Sequence, residues 1–270
     1  MNAFDSTADY MPDYDIMRLE ISSSGLTRFY SISADICDSV MLKARLESLQ
    51  KQDHSDRGVA LAGWMPEGRV AIYDDYWQNW PEKGTLTVRY NILHTEYEYS
   101  EPLPTMNWKL IPDIVKEVCG YPCYGARAHF RGRDYTAWYC LDLPFNAGPW
   151  KFSGLPGLIM AVEESSGIFS WEVIGISQKQ GDIHIHDENF DNFQLHYENH
   201  NDKQTDYRII SRKQAAVIDR RRWADPWGFA LDKGIMVLSR VNENSRETVE
   251  VTSANREQFA LPEVPALELE

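Results

Sequence analysis

His184, His186 and Asp187 are the residues of this chain best spaced for metal chemistry. Side chains at i and i+2 of a strand project to one face, so both imidazoles can reach one ion, with Asp187 or His196 as a third ligand. The competing reading is a polar strand edge whose Ile183 and Ile185 face inward, because nothing fixes a third ligand. Cys119 and Cys123 resemble half of a zinc site, but no second half has matching spacing. Arg131, Arg133 and Lys151 offer a second chemistry. As a local basic patch they would bind carboxylate or phosphate. The alternative is pairing with Asp134 and Asp142 across the same hairpin. Arg220, Arg221 and Arg222 sit beside Asp219 and Asp225 and read as a solvated helix face.

Nucleophilic catalysis lacks its sequence marks. The chain has no Gly-x-Ser-x-Gly elbow, no His-Glu-x-x-His and no phosphate loop. Asp74-Asp75 and Glu163-Glu164 are adjacent pairs, so on a strand each pair points to opposite faces and cannot share a proton. These absences weaken an enzyme reading without removing it. No cofactor is implied.

A hairpin over 123–141 must position the arginines and two cysteines. With Arg131-Gly132 as a two-residue turn, Phe130 pairs with Arg133 and Cys123 faces Cys140 directly. With Gly132-Arg133 as a type II′ turn, Cys123 faces Asp142 and Cys140 lies diagonally on the same face. Both registers put the two sulfurs on one side, and the second is the worse geometry for a disulfide. A Cys123–Cys140 bridge and two buried free thiols both stand. Trp138, Tyr139, Trp150, Phe152 and Phe169 suit the lining of a groove on a curved sheet. They suit a filled core equally well.

Around the hairpin the periodicity predicts strands at 16–21, 26–32, 70–73, 85–92, 95–99, 158–162, 168–178, 183–185 and 193–197. A final hairpin is expected from 235–241 and 247–251. Helices are expected at 39–50 and 211–223, with a short one at 113–118 behind Pro112 at its first position. Residues 76–84 read as a polar-aromatic loop. The expected organisation is a flexible N-terminus over 1–14, one β-rich domain over 15–258, and a disordered or draped tail over 259–270. The fold class is therefore mainly β (α+β). One strongly curved antiparallel sheet or half-barrel is expected, with two or three helices, like lipoprotein carriers by analogy.

Bulk composition narrows the partners. Hydrophobic residues make up 43% of the 270, enough for a sizeable core, and the chain carries nine Trp and fourteen Tyr. The net charge of −14 repels nucleic acid and anionic headgroups. No apolar run approaches the roughly 20 residues of a membrane span. The first residues lack the basic and apolar regions of an export signal. Either the chain is cytosolic, or it is a mature chain whose signal has been removed.

The most specified backbone lies at Gly148-Pro149-Trp150-Lys151-Phe152-Ser153-Gly154-Leu155-Pro156-Gly157. Glycine there permits positive φ or close approach, and proline fixes φ near about −65°. With Leu158 and Ile159, this segment resembles the signature of the GLPGLI family. Gly120-Tyr121, Cys123, Ala126, Gly132-Arg133, Tyr135, Ala137-Trp138-Tyr139 and Pro144 agree with it. Weaker similarity extends over 15–210. The resemblance implies an exported envelope protein of Bacteroidota with a β-rich fold, in the periplasm or cell envelope. It hands over no catalytic residues. Some family members carry Cys where this chain has Ser153 and none at Cys140, which implies that Cys123 has changed partner. The leading expectation is a non-enzymatic binding or carrier module for an apolar or peptide-like ligand or a protein partner. Metal binding at His184 and His186 and an outer-membrane scaffold docking through the signature loop are the alternatives.

Overall fold

Alternation of apolar side chains sets the inner face of the first of two large sheets. The computed structural model describes residues 14–34, 74–92, 95–181, 183, 207–233, 237–240, 248–255 and 268. The first sheet begins with β1 (Met17–Ile21), β2 (Thr27–Ser31), β3 (Asp74–Gln78), β4 (Thr85–Ile92) and β5 (Thr95–Pro102), paired antiparallel in that order. On β4, Leu86, Val88 and Tyr90 lie opposite Glu101, Tyr99 and Tyr97 of β5, so all six share one face. The other face is polar, and there Arg89 meets Glu98 at 2.7 Å.

The second sheet holds β6 (Lys109–Val118), β7 (Tyr121–Phe130), β8 (Arg133–Cys140), β9 (Leu158–Glu164) and β10 (Ser170–Glu172), in the order β10-β9-β8-β7-β6. A short β11 (Arg208–Ile209) returns to the first sheet beside β5 and is parallel to it. Helix α1 (Arg212–Ala224) follows, capped by Ser211. The Ser211 hydroxyl accepts from the Gln214 N–H while the Gln214 side chain accepts from the Ser211 N–H. Helix α2 (Pro226–Asp232) comes next, and β12 (Val237–Arg240) pairs with β13 (Thr248–Val251).

One apolar cluster joins the two sheets. It includes Phe29, Tyr76, Val88 and Tyr99 from the first, Ala126, Tyr135, Tyr139 and Val162 from the second, and Ala215 and Phe229 from the helices. A smaller cluster forms around Val118, Cys123, Cys140, Ala147 and Met160. Among the described residues no helix is long and apolar enough to cross a membrane.

The mainly β expectation holds, with two helices among the described residues. Strands β1 to β11 are divided between two sheets rather than bent into one, β12 and β13 form a separate pair, and neither large sheet closes into a barrel. Three local expectations fail in whole or in part. Residues 113–118 are strand, not helix: β6 is an edge strand, and Pro112 falls in the register break between Ile111 and Val115. A proline costs little where no partner asks for its missing N–H. Tyr76, Trp77 and Gln78 belong to β3 rather than to a loop, because all three are buried against β2 and β4. Within 168–178 only Ser170–Glu172 is strand. The expected strands at 70–73 and 193–197 and the helix at 39–50 lie outside the described residues. So does the strand at 183–185, apart from Ile183.

Candidate anion-binding site

The signature segment is a wedge between the sheets. A Cβ on Gly157 would lie 1.9 Å from the Cys140 carbonyl oxygen, so the chain crosses there with no room for a side chain. Trp150 sits at φ 52°, a conformation that only tight surroundings hold for a bulky residue. Its ring stacks on Trp171, with centroids 6.1 Å apart and planes 4° apart, and meets Phe152 edge-on at 5.1 Å. Phe152 packs edge-on against Tyr135 at 4.9 Å. The carbonyls of Trp150 and Phe152 accept from the Gln78 amide of the first sheet at 3.3 and 3.4 Å.

Lys151, between those two aromatics, reaches β5 of the first sheet. Its side chain is 1% exposed. The ammonium donates to the Tyr99 hydroxyl at 2.9 Å, to Glu101 at 3.2 Å and to the Glu268 carboxylate. Burying an ammonium is costly unless carboxylates and hydrogen bonds surround it, and here they do. Tyr99 and Glu101 share a strand face, which places both under the lysine.

Two arginines complete the cluster. Arg131, in the β7–β8 turn, meets Glu101 at 2.6 Å and Glu268 at 3.7 Å. Arg212, the first residue of α1, lies 3.6 Å from Glu101 and 3.4 Å from Glu268. No acidic residue occupies the first turn of α1, so its positive end adds to the same field. Burial, then Glu268 and Glu101, hold the Tyr99 hydroxyl well above its ordinary range. The phenol therefore stays neutral and accepts from Lys151.

A second polar group adjoins the first. Arg222 lies 3.1 Å from Asp219 and 3.9 Å from Asp74, and Tyr76 donates to Asp74 at 3.0 Å. Burial pushes the Asp219 carboxyl up to about 6 against the pull of Arg222, with Asp74 and Glu268 adding to the rise. The Tyr90 hydroxyl is buried with no hydrogen-bond partner among the described residues.

The structure brings together Arg131 and Lys151 but sends Arg133 elsewhere, to Glu164 at 3.7 Å and the ring of Phe169 at 5.2 Å. Asp134 pairs with His129, not with an arginine. Tyr139, Trp150 and Phe152 are filled core, and Trp138 is half-buried against the smaller cluster. Leu155 is 3% exposed. Gly148 packs on Ile159, Pro149 is buried, and Gly154 and Pro156 are exposed.

The turn is Arg131-Gly132, both at positive φ, with Phe130 opposite Arg133 and Tyr124 opposite Tyr139. One step further puts Cys123 opposite Cys140. Both are buried free thiols in the structure. Burial, with Cys140 adding to it, pushes the Cys123 thiol up to about 11. His184, His186 and Asp187 lie outside the described residues.

Tyr99, Glu101, Arg212 and Glu268 were not singled out by motif. The spacing of Tyr97, Tyr99 and Glu101 was a usable signal, and so was an arginine directly after a helix cap. Glu268 had none.

The family model described as "Protein of unknown function (Porph_ging)" matches residues 131–161. That stretch runs from Arg131 through Lys151 to β9. No curated protein sequence matches the chain. Two solved structures, "Structure of PNGF-II in P21 space group" and "Structure of PNGF-II in C2 space group", are 11% identical to it, with TM-scores of 0.40 and 0.37. The similarity covers 86% and 81% of this chain. The chain spans about a third of their length, 33% and 30%.

Proposed function

We propose that this protein is a non-enzymatic binding module of a bacterial cell envelope. It takes a carboxylate of a peptide-like ligand or protein partner at Lys151, Arg131 and Arg212. The observation that carries this reading is the Lys151 ammonium, 1% exposed on the signature segment and flanked by two guanidiniums. Carboxylates are what such a group recognises. The segment's aromatic side chains are spent on the core, which favours a polar, peptide-like ligand over an apolar one. Burial of Trp150 and Leu155 likewise speaks against docking through the signature loop. The envelope setting rests on the resemblance of 120–160 to the GLPGLI family of Bacteroidota, and the Porph_ging match falls on the same stretch.

An array of acidic, neutral and basic peptides, probed with the labelled full chain, tests the site. Capture of acidic peptides alone, reduced by Arg131→Met and Arg212→Met, is expected. Equal capture of neutral peptides would overturn it. Fractionation of native cells tests the location, and a purely cytosolic protein would remove the envelope.

A further inference from the structure

This inference concerns the smaller apolar cluster and does not rest on the carboxylate reading of Lys151. Two cysteines from neighbouring strands meet there. Cys123 on β7 and Cys140 on β8 are each 0% exposed and pack with Val118, Ala147 and Met160. Both are thiols in the structure. A buried free cysteine often serves only as a small apolar side chain. The register of the hairpin sets this pair apart.

Phe130 and Arg133 flank the two-residue turn, so they form a hydrogen-bonded pair of the antiparallel ladder. Pair types alternate along the strands from there. By that alternation Ala128–Tyr135, Ala126–Ala137 and Tyr124–Tyr139 are hydrogen-bonded pairs. The next step, Cys123 opposite Cys140, is a non-hydrogen-bonded pair. Opposite residues at such a site have Cα atoms about 4.5 Å apart and side chains close together on one face. That lies inside the roughly 4.4–6.8 Å that a disulfide spans. The two thiols also feel each other: after burial, Cys140 is the next cause of the raised Cys123 thiol. The Cys123 thiol donates to the Tyr121 carbonyl at 3.5 Å, a weak bond whose loss costs little. The Cys140 backbone is held by the close crossing at Gly157 and by pairing with Leu158 of β9. Joining the sulfurs therefore asks for side-chain rotation, not for movement of the strands.

We propose that Cys123 and Cys140 are a cross-strand disulfide pair, oxidised by exchange with an external disulfide as the chain folds. One cysteine thiolate attacks a sulfur of the external disulfide, releasing one thiol and leaving a mixed disulfide. The second thiolate attacks the protein sulfur of that mixed disulfide and releases the other thiol. Two electrons pass to the external disulfide, and the two cysteine protons end on the released thiols. In the folded chain both thiols are sealed from water, so neither step proceeds until this face opens. The bond forms before the cluster closes and is protected afterwards. It closes the loop over 123–140, which carries Arg131 at its far end.

For the test, the full chain is unfolded with its cysteines reduced and refolded in a mixture of reduced and oxidised glutathione. Free thiols are then alkylated, and a non-reducing digest is read by mass spectrometry. A peptide pair joined through Cys123 and Cys140 is expected, retained in Cys119→Ala and lost in Cys140→Ala. Cys123 joined to Cys119 or Cys37 instead, or both thiols alkylated, overturns the pairing. The folded, reduced protein in the same mixture is expected to form the bond at least about tenfold more slowly. Equal rates overturn its formation during folding. If the reduced chain does not refold, the folded protein is held with oxidised glutathione in urea below its unfolding transition. The same bond is expected there, and two free thiols overturn the proposal.

Discussion

Lys151 and Gly157 are six residues apart and fail in different ways when changed. Gly157→Ala places a methyl within 1.9 Å of the Cys140 carbonyl oxygen, and only a backbone shift relieves that. Strain of this kind belongs with the severe point mutations, so a loss of about 4 kcal/mol or more is expected in urea unfolding. Lys151→Met fills the same volume and removes the charge. Glu101 and Glu268 keep Arg131 and Arg212, so the cost is expected to stay at or below the roughly 3 kcal/mol typical of an orphaned buried partner. Arg212→Met, with a part-exposed side chain, is expected to cost under about 1 kcal/mol by the same measurement. Equal losses for Lys151→Met and Arg212→Met would show that burial does not grade these ion pairs. The sequence revealed Gly157 and Lys151 because glycine, proline and a cation between two aromatics carry local meaning. It hid Glu101, Arg212 and Glu268 because their meeting depends on how two sheets face each other.

At the scale of the element, the β7–β8 hairpin does two jobs from one turn. The paired positive φ values of Arg131 and Gly132 suit the right-handed twist of a two-residue hairpin. They aim the Arg131 guanidinium at Glu101, and the register they set buries Cys123 and Cys140 side by side. A thiol raised to about 11 and sealed from water is almost entirely protonated at neutral pH. Maleimide applied to the folded protein at pH 7.5 is therefore expected to modify exposed Cys119 and to spare Cys123 and Cys140, as read by peptide mass spectrometry. Labelling of Cys123 at the rate of Cys119 would show that this face opens. The turn was legible as one of two registers, and the pairing of Phe130 with Arg133 decides between them. Strand β6 was not legible. A proline ahead of a short charged stretch favours a helix start locally, and only its place at a sheet edge makes it a strand residue.

Over the whole molecule, an acidic chain of net charge −14 encloses a buried cationic centre. The acids that balance it, Glu101, Glu268, Asp74 and Asp219, are drawn from β3, β5, α1 and the remote segment carrying Glu268. Burial of Asp219, with Asp74 and Glu268 close by, has a consequence for the whole protein's response to pH. Its carboxyl holds a proton up to about 6 in the folded state, against an ordinary value of 3.8. Between those values the folded form binds more protons than the unfolded form, so this group's contribution to stability falls as pH rises through the window. Above about 6 the penalty is complete, and below 3.8 it is absent. With 41% of the side chain exposed, water screens the effect, and it is expected to stay under about 1 kcal/mol. Asp219→Asn carries no charge to lose, yet leaves Arg222 its contact with Asp74. The variant's unfolding midpoint is therefore expected to gain on wild type as pH is raised from 4.5 to 7. Parallel curves for the two proteins across that range would mean that Asp219 ionises as it does in open water, and that the charges around Lys151 do not reach it.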